Sequence, residues 1–317
     1  ISHIDDSPTM SELAIRMGVT KGYISRIVAS LAQKGFVNIS TNGISKNVNL
    51  TNNPHAVKLK NILHTRSYMP LPKLMHGSGI QIMAIISTGK ADFARLLDES
   101  NLSEATLRRN IKKFKSYAML VFRNKKYEFP QDLMDIRDFV KDYCSYFDIS
   151  ELRKISPQGR FITSHGFEFL FTLDKKIVRE NSPSGQINSH SMVTKHILQE
   201  NVKPTGLSAI SGKIPLILAD NQYFYSSRTL SEEEIAVHAI VVDPHNKRNL
   251  TYVILYILKA KIDKNQLITI SDQYDITDIS RSILDMLDTW EQSEETFMPS
   301  PSYIKQKATE YNIKWQE

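Results

Sequence analysis

Between residues 103 and 129 the chain carries Arg108, Arg109, Lys112, Lys113, Lys115, Arg123, Lys125 and Lys126 against Glu104 and Glu128 alone. Cations at this density neutralise phosphates, and roughly six to ten such contacts change affinity about 10³–10⁵-fold between low and moderate salt. Arg108 and Asn110 add the means to read bases, since arginine pairs with guanine and asparagine with adenine in the major groove. Ser103 and Thr106 flank them at the start of the same helical stretch. An earlier segment offers a second polar set, Thr20, Lys21, Tyr23, Ser25 and Arg26, with Lys46 further on. The partner this chemistry implies is double-stranded DNA.

Other chemistries lack their groups. There is no Gly-x-Ser-x-Gly elbow, no phosphate loop ending in Gly-Lys-Ser/Thr and no His-Glu-x-x-His pair. Gly77-Ser-Gly79 has the Gly-Ser of nucleotidyltransferases without the paired aspartates that should follow on a strand. His238 and His245 are interrupted by Asp243-Pro244, which ends a helix between them, and His190 and His196 point to nothing further. The expectation is no catalytic residue, no cofactor and no metal. A single cysteine, Cys144, excludes an intrachain disulfide and suits a reduced cytoplasmic protein. No apolar run approaches the ~20 residues that span a bilayer, so no membrane association is expected. Ile1 to Pro8 has no signal-peptide pattern, so a soluble chain that is not exported is expected. The net charge of +6 permits an anionic partner without requiring one, so the placement of charge matters more than its sum.

The elements that must position these residues can be read from spacing. Thr9 with Glu12 forms a capping box, opening a short helix with Leu13, Ala14 and Met17 turned inward. Gly18 supplies the left-handed turn, Val19 plugs the angle and Thr20 caps a second helix from Lys21 to about Lys34. Ile24, Ile27, Val28 and Leu31 form the buried stripe of that helix, leaving Lys21, Gly22, Tyr23, Ser25, Arg26 and Ser30 outside. Gly35 ends it. Phe36 to Ile39, a turn at Thr41-Asn42-Gly43 and Ile44 to Leu50 then read as a hairpin, or wing. Asp5 to Pro54 resembles the MarR-like winged-helix transcriptional regulators of archaeal type, in which a glycine turn, a recognition helix and Gly-Phe-Val entering a wing occur in this order. That resemblance implies duplex DNA binding, and the family's preceding helix is expected upstream of Ile1, where the chain starts without an initiator methionine.

Met69-Pro-Leu-Pro and Gly77-Ser-Gly read as a linker, after which the order recurs. One helix ends near Ser87-Thr-Gly89; a second covers Ala91 to Glu99 with Phe93, Ala94, Leu96 and Leu97 buried. Asn101-Leu102 turns, and Ser103 caps a third helix with Ala105, Leu107, Ile111 and Phe114 inward. Two strands, Met119 to Phe122 and Tyr127 to Phe129, flank a basic tip. Pro130 to Phe147 is an amphipathic helix with Leu133, Ile136, Phe139, Val140 and Tyr143 on one face, suited to packing within the chain or to pairing in a homodimer.

The fold class expected is mainly α with small β, α+β: tandem winged helix-turn-helix domains plus a mixed, mostly helical C-terminal domain. The divisions are 1–63 and 80–149 for the winged helices, 64–79 for the linker, 150–291 for an effector or partner domain and 292–317 for a tail. In the C-terminal half, strand-like runs at Gly159 to Thr163 and Gly166 to Thr172, a loop at Asn181 to Gly185, a helix from Met192 and extended segments at Ile214 to Ala219 and Tyr223 to Ser226 precede a helical remainder. Ser231 and Glu234 form another capping box there. Pro204-Thr-Gly-Leu-Ser-Ala and Leu230-Ser-Glu-Glu-Glu-Ile-Ala-Val-His resemble archaeal regulators and AbiEi-like antitoxins, which implies a module for a small-molecule or protein effector. Two functions stay open: a DNA-binding regulator, or a winged-helix assembly module, including an antitoxin-like one.

Overall fold

The computed structural model describes residues 1, 4, 6–43, 45–174 and 201–314. The loop expected at Asn181 to Gly185, most of the helix expected from Met192, and His190 and His196 lie outside the described residues. The chain is α+β, with three small sheets of two, two and four strands among the described residues. It divides into two compact units, residues 1–150 with 165–167, and residues 151–164 with 168–317.

The first unit holds both winged helices. In the first, α1 (Met10–Arg16) and α2 (Lys21–Gln33) precede β1 (Val37–Asn42) and β2 (Ser45–Leu50). Then come α3 (Pro54–Thr65), α4 (Leu71–Leu74) and α5 (Ser78–Thr88). The second comprises α6 (Phe93–Ser100), α7 (Glu104–Ser116), β3 (Val121–Arg123) and β4 (Lys126–Glu128). The long α8 (Met134–Ile155) follows a short 3₁₀ turn.

The same backbone devices build both copies, in one register. Thr9 and Asp92 cap α1 and α6, Gly18 and Asn101 take the left-handed conformation at the turn, and Thr20 and Ser103 cap α2 and α7. At the far end, Gly35 and Ala118 are again both left-handed, and the next residue donates its amide back into the helix, Phe36 to Leu31 and Met119 to Phe114, each at 2.9 Å. The chain just ahead of each helix pair bridges the returning wing strand, at Thr9 to Asn47 and, one residue before the Asp92 cap, at Ala91 to Tyr127. Each wing is thereby tied to its own helix pair.

Several expectations are corrected. Met17 falls at the C-cap of α1, one residue past the helix, and is exposed. In β1 the strand runs on to Asn42, which pairs with Ser45, so the turn is shorter than expected. Ala94 and Ala105 are exposed; the stripe of α7 is Leu107, Asn110, Ile111 and Phe114. Residues 64–79, read as a linker, contain α4 with Leu71 and Leu74 buried, and one continuous core runs from Ile24 and Val28 to Leu107 and Phe114. The apolar Leu71-Leu74 spacing outweighs the flanking prolines, which sit at the start of α4 where a missing N–H costs nothing. The amphipathic helix runs to Ile155, past the expected Phe147. Its Tyr143 stacks on Phe36 at 5.6 Å, and its Asp135 and Asp142 pair with Arg66 at 2.8 Å and Lys58 at 2.6 Å. That face is thus used within the chain.

The second unit combines a four-stranded sheet, in the order β5 (Arg160–His165), β6 (Glu168–Asp174), β8 (Asp220–Tyr225) and β7 (Val202–Pro204), with helices. Strands β6 and β7 both run antiparallel to β8. The helices are α9 (Gly206–Ile210), α10 (Glu232–Val242), α11 (Lys247–Ala260), α12 (Lys264–Gln273), α13 (Thr277–Thr289) and α14 (Pro301–Glu310). Ser231 and Glu234 form the capping box of α10. Residues 214–219, read as extended, form no strand. His238 is fully buried, with Nδ1 2.8 Å from Thr205 Oγ1 and Nε2 3.0 Å from Tyr274 Oη, so both ring nitrogens are engaged in the core.

Candidate nucleic-acid interface

The two recognition helices reach solvent with different groups. On α2, Thr20 Oγ1 accepts from the Tyr23 amide and so is spent on the cap, while Lys21, Tyr23, Ser25 and Arg26 are exposed along the leading turns. No acidic residue stands in its first turn. Free N–H groups and a positive dipole end therefore face outward beside Lys21. Lys46 is exposed on the wing, opposite Thr41.

The C-terminal end of α2 is held from behind. Thr51 Oγ1 and Asn53 Nδ2 donate to the Gly35 carbonyl at 2.5 and 2.7 Å, and His55 Nε2 lies 3.0 Å from the Lys34 carbonyl, satisfying groups that a helix end leaves open. Burial lowers the pKa of His55 below its ordinary value, which keeps the ring neutral against that carbonyl. Gly35 also sits against Tyr146, whose ring would lie 2.2 Å from any Cβ placed there.

Helix α7 departs from the expected arrangement. Asn110, expected outside as a base reader, is 9 % exposed; its Nδ2 donates to Ser78 Oγ and to the Thr106 carbonyl, both at 2.9 Å. Its place three residues after Leu107 and four before Phe114 is a core position, and the 107, 110, 111, 114 spacing carried that signal. Ser103 Oγ is spent on the cap and Thr106 is only half-exposed. Arg108 Nε donates to Glu104 Oε1 at 2.8 Å, and its guanidinium lies 4.6 Å from the Phe93 ring centroid. Lys113 donates to the Lys73 carbonyl, and Lys115 lies over the Phe122 and Tyr127 rings at 4.9 and 5.2 Å.

This leaves Arg109, Lys112, Arg123, Lys125 and Lys126 paired with no acid among the described residues. Lys115 holds the wing strands against the trailing turn of α7, which sets the wing cations beside that end of the helix. At the wing tip Asn124 and Lys125 both take positive φ, 50° and 61°, the tight hairpin turn that matches strand twist. That turn sets Arg123 directly across from Lys126.

One buried charged cluster escaped the sequence. Glu99 on α6, 8 % exposed, pairs with Arg95 at 2.8 Å and with His165 at 2.9 Å. Burial pushes its carboxyl up, but the hydrogen bond and charge of His165, with Arg95, more than reverse this and hold it at about 2. The partners are 66 residues apart, beyond any local pattern. Among the described residues, no group of three or more His, Cys, Asp or Glu side chains is placed to hold a metal ion, and no helix is long and apolar enough to cross a membrane.

Helix pair, left-handed turn, recognition helix and tethered wing, built twice, define a tandem winged-helix protein. The MarR family matches residues 3–42, which span the first helix pair and β1. A second family, described as HVO_2833_C, C-terminal, matches residues 199–313, from before β7 through α14. A search of curated proteins finds no match.

Proposed function

We propose that this protein is a transcriptional regulator that binds double-stranded DNA through α2 and α7 with their wings, the C-terminal unit serving a small-molecule or protein effector. The carrying observation is the doubled winged helix, with exposed cations on the leading turns of α2 and on the trailing turns and wing of the second copy. The match of residues 3–42 to a family of regulators supports it. On this reading the chain acts by binding, in the cytoplasm, and as a homodimer where the operator is two-fold symmetric.

Anisotropy titration of a labelled duplex with the full chain, repeated from low to moderate salt, tests the proposal. Phosphate contacts by the unpaired cations should give affinity that falls steeply with salt. Absence of binding, or a slope near zero, would overturn it. A second reading, an assembly module, is favoured by Ile15, 81 % exposed on α1, which suits a protein surface better than a phosphate backbone. Under that reading, chromatographic mass would report a stable protein complex and no shift on adding duplex.

A further inference from the structure

The common register of the two winged helices makes their outward residues comparable one by one. The position after the N-cap is Lys21 in α2 and Glu104 in α7; the next is Gly22 and Ala105. Where α2 shows Ser25, α7 shows Arg108, already engaged by Glu104. The position of Ile27 is taken by Asn110, whose amide is committed inside. Toward the C-terminus the order reverses: Ala29, Ser30 and Ala32 of α2 answer to Lys112, Lys113 and Lys115 of α7.

The leading turns of α7 thus keep an arginine where α2 has one, Arg109 for Arg26, but exchange Lys21 for Glu104 and Ser25 for an engaged Arg108. The added cations lie on the trailing turns and wing. In helix-turn-helix proteins the N-terminal residues of the recognition helix meet base edges, and cations away from that end are placed for the phosphate backbone. A carboxylate at Glu104 is repelled by phosphates on either side of a groove, and pairing it with Arg108 removes the best base reader of α7. The wing of this copy, with strands of three residues against six in the first, is compact and ends in Arg123, Lys125 and Lys126. Arg123 faces Lys126 across the ladder, a like-charge pairing that costs the free protein stability and that an anion lying against it would relieve.

Resting on the reading that the chain binds duplex DNA, we infer that the two copies divide the work: the first winged helix selects sequence through Ser25 and Arg26. The second is a sequence-independent clamp on backbone phosphates through Lys112 and the Arg123–Lys126 wing. The occupant of the second copy is the sugar-phosphate backbone of duplex DNA, and no base is read there.

Selection of the full chain against a randomised duplex pool, followed by titration of recovered and unselected duplexes across salt, tests this. The clamp variant is Arg123→Gln, Lys125→Asn and Lys126→Gln, asparagine being tolerant of positive φ. It should recover the same motif as the unmodified chain, bind every duplex about tenfold or more weakly at moderate salt, and lose about one unit of salt slope per cation removed. The reader variant, Ser25→Ala with Arg26→Gln, should lose the motif while keeping most of the salt slope. Both change exposed side chains, and melting of each no lower than that of the unmodified chain confirms folding.

A clamp variant that recovers a different motif, or a reader variant that keeps the motif, would overturn the division. So would an unmodified chain that binds duplex without enriching any motif, although DNA binding itself would survive. If the unmodified chain binds no duplex at all, the functional reading falls first and the division with it.

Discussion

The two winged helices share a backbone and differ in what they do with it. In the first, Gly35 takes the left-handed turn after the recognition helix, its carbonyl held by Thr51 and Asn53; in the second, Ala118 takes the same conformation at φ 53°. The first keeps its helix face lightly charged, whereas the second concentrates cations and spends three of them, Arg108, Lys113 and Lys115, on holding itself together. A repeated scaffold therefore need not repeat a function. Under the proposed division, charge within the scaffold would suit one copy to reading bases and the other to gripping phosphate.

The largest effect that could break this comparison lies beneath the second copy. Glu99→Ala leaves Arg95 and His165 buried without their shared carboxylate and should cost about 3–5 kcal/mol in urea unfolding. Because the folded carboxyl is held at about 2, below its ordinary 4.5, its contribution is present above pH 4.5. It is lost as pH falls from there toward 2, and a Glu99→Gln chain should show a flatter stability profile over that window.

Exchanging the two turn residues sharpens the contrast next. Gly35→Ala combines a left-handed alanine with collision against Tyr146 and should cost about 2–4 kcal/mol. Ala118→Gly relieves the same conformation where nothing else opposes it and should gain about 0.5–1 kcal/mol. A thermal melt reads both, and equal but opposite shifts would mean that Tyr146 does not constrain the first copy.

Asn110→Ala, by removing the bonds to Ser78 and Thr106, should cost about 1–2 kcal/mol of stability. At equal folded fraction it should leave the recovered DNA motif unchanged; a shift at a single adenine would restore Asn110 as a reader. The smallest effect is Lys126→Glu, which replaces a cross-strand repulsion with an attraction to Arg123. It should leave stability unchanged or raised by about 0.5 kcal/mol while weakening DNA binding. Weakened folding there would show the cation to be structural.

What could be read from sequence was local. The Thr9–Glu12 and Ser231–Glu234 capping boxes, Gly18 and Ser103 are signals carried within three or four residues, and the structure places them as expected. The clustering of cations in the second copy was equally plain. Their division into engaged and unpaired groups was not, because Lys113 is held by Lys73, 40 residues away, and Asn110 by Ser78, 32 away. The reading of residues 64–79 as a linker failed for a related reason: proline and glycine mark where a chain turns, while burial of Leu71 and Leu74 depends on a core assembled from both copies.

Lysine footprinting of the full chain with and without duplex DNA tests the central claim most directly. Lys21 on α2, Lys112 on α7 and Lys125 and Lys126 at the wing should lose reactivity on DNA binding, while exposed Lys247 and Lys261 of the C-terminal unit keep theirs. Unchanged reactivity at all four N-terminal positions, or protection confined to the C-terminal pair, would contradict a duplex-binding surface built from the two winged helices.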